Sequence, residues 1–322
     1  MMPPLALCFC SSRVHVFSSA RKRYSAHLRV GTDFRHSIQM SLTGEELFTK
    51  AEGKINRILF NDHEAAYEYF IKAGGVFKSE RNWLRAGDAF MRAGDMSMKL
   101  KNAGDAAQSY TESANAYKKV DISKAQSVMQ QAIQLNLENN RLSGAAKLLK
   151  EWAEALELDG RSDDAVAAYT RARQYFEAED QPQASNACTL KIAKLNVDLK
   201  KYVLAAKEYE TVAFRYTEGP LKHQARESFF KAFLCRAALV KPDNATETVA
   251  AAREALSTYC VADLHFPRSR EEEVCNLLLE ALDESDEDKY QEALGIMHEL
   301  RMIDDVKVSI MTDIGGSFSS TN

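Results

Sequence analysis

Proline and glycine are scarce, with six and 14 among 322 residues. That scarcity, beside a hydrophobic share of 45%, excludes a low-complexity or disordered chain and fits a folded, mostly helical one. No apolar run reaches the roughly 18 residues that a membrane-spanning helix needs. The six cysteines (Cys8, Cys10, Cys188, Cys235, Cys260, Cys275) include no C-x-x-C pair, and three fall inside helical patterns. They read as buried reduced thiols, which favours a reducing compartment. Cys260, His265 and Cys275 match no established metal spacing. The sequence contains no H-E-x-x-H, G-x-S-x-G or G-x-x-x-x-G-K-[ST] motif, and its seven histidines are scattered. No catalytic constellation and no cofactor site is therefore expected. Basic excess is missing from the part that should fold. Residues 1–39 carry six basic side chains against the single acid Asp33, so the total of −4 leaves −9 on residues 40–322. A nucleic-acid binder has the opposite balance.

What the chain does have is a spacing. Ala66, Ala86, Ala106, Ala125, Ala145, Ala165, Ala184, Ala205 and Ala225 follow one another at intervals of 19 to 21 residues. Four residues after each comes a larger side chain: Phe70, Phe90, Tyr110, Met129, Leu149, Tyr169, Cys188, Tyr209 and Phe229. Seven residues on, the side chain is small or apolar in most cases, Lys191 being the exception. Eleven on, the pattern often ends in bulk, as at Phe77, Tyr117, Leu156, Phe176, Leu195 and Tyr216. Offsets of four, seven and eleven share one helical face. Turn residues separate the runs, among them Asn102 to Asp105, Asp159 to Ser162 and Glu218 to Pro220. The fold class is all-α: a tetratricopeptide-like solenoid of helical hairpins, a twisted sheet of antiparallel helices with a C-terminal helical bundle. Its unit of two helices spans about 40 residues against about 34 in the standard repeat.

The chain divides accordingly. Residues 1–39 are Arg- and Ser-rich and stand apart, either as a segment resembling a transit peptide or as sequence ahead of the true start at Met40. Residues 40–244 form the array, opening with Thr43 as N-cap and Glu46 three residues on. Residues 245–312 form the bundle, and 313–322 read as a loose polar tail. Ile58, Leu59 and Phe60 make an apolar cluster ahead of a turn, either a membrane-inserting tip or the packing of the first helix pair. An all-helical array without a reaction centre is a binding surface, and basic residues along it suit an acidic, extended partner. Without further clues, a generic scaffold that docks an acidic protein satisfies the same pattern.

Particular stretches are more specific. Arg81-Asn82-Trp83 before Ala86-Gly87-Asp88-Ala89-Phe90, Ala114-Asn115-Ala116-Tyr117-Lys118-Lys119, Ser228-Phe229-Phe230-Lys231-Ala232-Phe233-Leu234-Cys235, and Leu278-Leu279-Glu280-Ala281 before an acidic turn occur in order. In that order they resemble the soluble NSF attachment proteins, the alpha type more than the gamma type, over about residues 45–305. The resemblance implies a non-enzymatic adaptor in vesicle-mediated intracellular protein transport and membrane fusion, including ER–Golgi transport. It implies several copies wrapping a SNARE complex of syntaxin-like and other SNAREs, and recruitment of the hexameric AAA ATPase NSF. It also implies a cytoplasmic protein attached peripherally to the membrane surface. Matching basic positions for the SNARE surface are Arg81, Lys119, Arg141, Lys147, Lys191, Arg226 and Arg270. Matching acids for NSF are Glu280, Asp283 and Glu284, and the membrane loop corresponds to Ile58, Leu59 and Phe60. Three departures stand out. Ala187 replaces a basic residue frequent in the family. The apolar loop is shorter, which implies weaker membrane attachment. The chain ends Gly-Gly-Ser-Phe-Ser-Ser-Thr-Asn where the family has a leucine among acids, which implies weaker stimulation of the ATPase.

Overall fold

The computed structural model describes residues 42–56, 62–219, 222–241 and 244–319. The expectations for residues 1–39 and for Ile58, Leu59 and Phe60 lie outside the described residues. Within them there are fourteen helices and no strand: α1 (Gly44–Ile55), α2 (His63–Ser79), α3 (Trp83–Lys99), α4 (Ala103–Tyr117), α5 (Ile122–Glu138), α6 (Leu142–Leu158), α7 (Ser162–Ala178), α8 (Pro182–Asp198), α9 (Tyr202–Glu218), α10 (His223–Ala237), α11 (Ala245–Ala262), α12 (Arg270–Glu284), α13 (Glu287–Glu299) and α14 (Asp305–Ser319). Thr43 closes a full capping box with Glu46, and Asp62, Asn82, Asn102 and Asp121 cap the next helices through their side chains.

The turns repeat as regularly as the helices. Arg81, Lys101, Asn140, Gly160, Asp180 and Lys200 all sit in the left-handed region, with φ between 50° and 79°. After each, the next N–H donates to the carbonyl five residues back, as Asn82 does to Phe77 at 2.8 Å and Lys201 to Asn196 at 2.7 Å. This is one Schellman-type ending used six times at a spacing of about 20 residues. The missing member falls at Val120. A β-branched side chain resists the left-handed region, and here Asp121 N–H donates to Tyr117 at 2.7 Å instead.

Short turns make consecutive helices antiparallel, and the α3–α4 contact displays the register. Tyr117 lies over Gly87 with its hydroxyl 2.6 Å from Asp88, while Tyr110 lies over Gly94 with its hydroxyl 2.9 Å from Asp95. Two tyrosines seven residues apart thus enter two Gly-Asp sockets seven residues apart, in reverse order. A Cβ at either glycine would stand 2.5 Å from the ring, so the close approach requires glycine. Burial, then the acid, pushes both phenols above their ordinary pKa.

Ion pairs join helices two apart: Arg92 to Glu52 (α3–α1, 3.7 Å), Lys78 to Glu112 (α2–α4, 2.7 Å), Lys191 to Glu157 (α8–α6, 3.1 Å) and Lys201 at the start of α9 to Asp163 on α7 (2.6 Å). The even-numbered helices of the array form one layer and the odd-numbered ones the other. Between the layers lies the core, and eight of the nine spaced alanines are fully buried in it, Ala184 being the exception. On α8 Ser185, Thr189 and Ile192 are buried one place beyond the expected Ala184 register, alongside Cys188 and Leu195, which are buried in that register. Ser185 restores the interval of 20 to both Ala165 and Ala205, and the shift explains why Lys191 broke the pattern.

The C-terminal region departs from the expected tail. α14 runs on through Ser319 and buries Ile310, Met311, Ile314 and Phe318, so the stretch from Gly315 onward within the described residues is helical. A Cβ at Gly315 would meet the Tyr290 hydroxyl at 2.7 Å, and that hydroxyl donates to the Met311 carbonyl at 2.8 Å. The glycine marks close packing here, not a loose end. α14 returns to α8 and α10. Lys200 pairs with Asp313 at 2.6 Å, and Lys307, only 4% exposed, pairs with Glu227 at 2.8 Å.

Candidate functional site: a basic helix layer and an acidic helix end

The seven basic residues fall into a pattern that linear order hides. Arg81 follows α2, Lys119 follows α4, Arg141 precedes α6, Lys147 lies on α6, Lys191 on α8 and Arg226 on α10. Lys147, Lys191 and Arg226 therefore lie on even-numbered helices of the array, whereas Arg81, Lys119 and Arg141 lie in turns that join the two layers. Arg81 and Lys119 lie at one edge of the array, whereas Arg141 and the start of α10 lie toward the other. Arg270 stands apart at the first residue of α12.

Their surroundings differ. Arg81, Lys119, Arg141 and Lys147 are exposed. Lys191 is held by Glu157 at 3.1 Å and Arg270 by Glu273 at 2.5 Å, and both pairs face solvent, where such bonds rearrange at little cost. Arg226 is partly buried, and its Nε is a buried donor with no partner.

Lys119 borders an open groove of about 770 Å³, lined by Asn115, Lys118, Val120, Glu151 and Leu158 among others. The groove opens at the irregular α4–α5 turn, where Val120 replaces the left-handed residue of the other turns. Val120 is 55% exposed and Leu158 is 90% exposed. Burial lowers the pKa of Lys118, and Glu151 opposes that shift. Sequence reasoning missed Val120 and Leu158. The signal available was the β-branched residue at a repeated turn position, together with a leucine on the polar face of α6.

Glu280, Asp283 and Glu284 share one face at the C-terminal end of α12, and all three are exposed. Lys289 on α13 reaches Glu280 at 3.1 Å and Glu284 at 2.9 Å, and Arg253 on α11 reaches Asp283 at 3.4 Å. Hydrogen bonds to Glu284 and Glu280 raise the Lys289 pKa. Carboxylates at a helix C-terminus oppose its dipole, so this clustering is not explained by helix stability.

Among the described residues no group of three or more His, Cys, Asp or Glu side chains is placed to hold a metal ion. Cys188, Cys235, Cys260 and Cys275 are free thiols, and burial pushes each above its ordinary pKa, Cys188 and Cys260 to about 11. Such thiols are poor nucleophiles. Among the described residues no helix is long and apolar enough to cross a membrane.

Comparison with known proteins adds an independent observation. The family described as soluble NSF attachment protein, SNAP, matches residues 42–318. The chain is similar to the alpha-soluble NSF attachment protein of Mus musculus, 32% identical over 72% of this chain and 76% of that one. It is similar to the beta-soluble NSF attachment protein of Bos taurus, 31% identical over 84% of this chain and 89% of that one. The alpha form of Vitis vinifera is 29% identical over 83% of this chain and 91% of its own length.

Proposed function

The chain belongs to the soluble NSF attachment protein family, a family of non-catalytic adaptors, and on that premise we propose that it bridges an assembled SNARE complex to the NSF ATPase. The even-numbered helices and the turns beside them grip the acidic flank of the SNARE bundle through Arg81, Lys119, Arg141, Lys147, Lys191 and Arg226, with Arg270 extending the contact. Glu280, Asp283 and Glu284 take a basic surface of NSF. The Ile58, Leu59 and Phe60 tip touches the membrane on its cytoplasmic side. The observation that carries this reading is the placement of charge: six basic positions lie on even-numbered helices of the array or in the turns beside them, and three acids gather at the end of one bundle helix. Opposite charges on separate elements suit an adaptor that must hold two partners at once.

Two charge reversals test it. Lys119→Glu with Lys147→Glu is expected to weaken SNARE-complex binding on the order of tenfold at low salt, with a smaller effect at high salt. Unchanged affinity at low salt removes those residues from the surface. Glu280, Asp283 and Glu284 changed together to Lys should spare SNARE binding and abolish NSF recruitment; loss of both points to misfolding. Leu59→Ser with Phe60→Ser should lower only the liposome-stimulated activity, and an equal loss in solution assigns those side chains to packing.

A further inference from the structure

Ser285 lies between α12 and α13, exposed, with φ 56°. Asp283 and Glu284 precede it, and Asp286, Glu287 and Asp288 follow it. No other serine or threonine in the sequence is followed by three consecutive acids. Three others come near, of which Ser162 precedes Asp163 and Asp164 but has Ala165 at the third place and lies within α7. Thr43 precedes Glu45 and Glu46, but its hydroxyl caps α1, 3.3 Å from the Glu46 N–H. Ser269 precedes Glu271 and Glu272, but its hydroxyl caps α12, 3.2 Å from the Glu272 N–H. Ser285 is relieved of that duty because Asp286 caps α13, accepting from Asp288 N–H at 2.9 Å and Lys289 N–H at 3.3 Å. Its hydroxyl is left uncommitted, on irregular backbone, with carboxylates on both sides.

We propose that Ser285 is a phosphorylation site for an acid-directed protein kinase, and that the phosphate tightens the hold of the acidic helix end on a basic partner. The Ser285 oxygen forms a bond to the γ-phosphorus of ATP, the bond from that phosphorus to the β-bridging oxygen breaks, ADP leaves, and the hydroxyl proton passes to the base of the kinase. The acids after Ser285 supply the charge that such a kinase reads. The product carries about −1.5 to −2 charges at neutral pH, added beside Glu280, Asp283 and Glu284. The position is exposed and has a counter-charge nearby. Ser285 and Lys241 line the same small recess, together with Leu282, Ser317 and Phe318. The site is the C-cap of α12, whose dipole opposes an anion, and stands one residue ahead of the α13 N-cap, whose dipole favours one, so the two dipoles offset each other. The effect on partner binding rests on the reading of the acidic end given above; the modification itself does not.

The test is to treat the full chain with casein kinase II and ATP, then map the phosphate by mass spectrometry of peptides. The expected result is one phosphate on Ser285, lost in Ser285→Ala and diminished in Glu287→Gln with Asp288→Asn, which leaves the Asp286 cap in place. Phosphate on other residues while Ser285 stays bare overturns the site. Phosphorylated protein should then bind NSF on SNARE complex more tightly than unmodified protein, by about three- to tenfold at low salt, and equal or weaker binding overturns the regulatory role. Failure of the underlying reading is seen separately, in unmodified protein that recruits no NSF.

Discussion

In the array, α1 to α4 meet in succession through a glycine and a ring, and the same turn is used six times. In the bundle, α14 returns to α8 and α10, with Tyr202 bonding Asp313 across a separation of 111 residues. The array is held by repeated local contacts, so its parts should fail one unit at a time. The bundle and α10 share one core in which Phe229 stacks on Tyr259 at 4.7 Å and meets Phe214 and Phe266 edge-on at 5.1 and 6.4 Å. An element that must pass a pull from one partner to another benefits from the second kind of attachment, because the junction then lets go as a whole or not at all.

The largest expected effect breaks that junction. Phe229→Ala should destabilise by about 3–5 kcal/mol, since the ring is fully buried among aromatic neighbours. Urea unfolding followed by hydrogen exchange should show loss of protection across α9 to α14 together. Loss confined to α10 contradicts a shared core. In the array, Gly87→Ala should cost about 1–3 kcal/mol, because the new methyl group meets the Tyr117 ring, and protection should fall mainly in α3 and α4.

An acid titration sharpens the contrast. Burial pushes Asp304 and Asp313 up, but Lys231 and Lys307 around the first and Lys200 and Tyr202 around the second outweigh it and hold both below the usual carboxylate range. With folded-state values depressed, their stabilisation is complete above the unfolded pKa near 4 and is lost as pH falls through the folded values. Below about pH 4, α14 should lose exchange protection before α3 and α4 do; simultaneous loss argues against these carboxylates as the clasp. The smallest effect tests the repeated turn. Lys101, at φ 59°, replaced by Gly should stabilise by up to about 1 kcal/mol, whereas Val120→Gly, at the irregular turn, should bring no such gain in thermal midpoint.

The contrast also explains what the sequence could disclose. The alanine spacing was legible because a small residue recurring on one helical face is a local signal. On α8 it was legible only in part, because Ser185 takes the buried place expected of Ala184 while Cys188 and Leu195 keep theirs. Gly87 and Gly94 carry no local sign of the Tyr117 and Tyr110 rings that lie over them, because those rings belong to the next helix. Gly315 looked like a tail for the same reason, since the ring it accommodates lies on α13. The basic residues were each visible, but which lie on even-numbered helices and which in the turns between layers depends on where each helix begins and ends. The groove beside Lys119 arises from a turn that departs from its repeats, and departures are legible only once the repeat is known.

The account rests on one chain holding a SNARE complex and NSF together. The measurement that tests it most directly adds the Met40–Asn322 protein to purified SNARE complex and NSF with ATP and follows disassembly over time. The account predicts ATP-dependent disassembly above the adaptor-free control, lost when Glu280, Asp283 and Glu284 are reversed to Lys. Disassembly no faster than the adaptor-free control would contradict it.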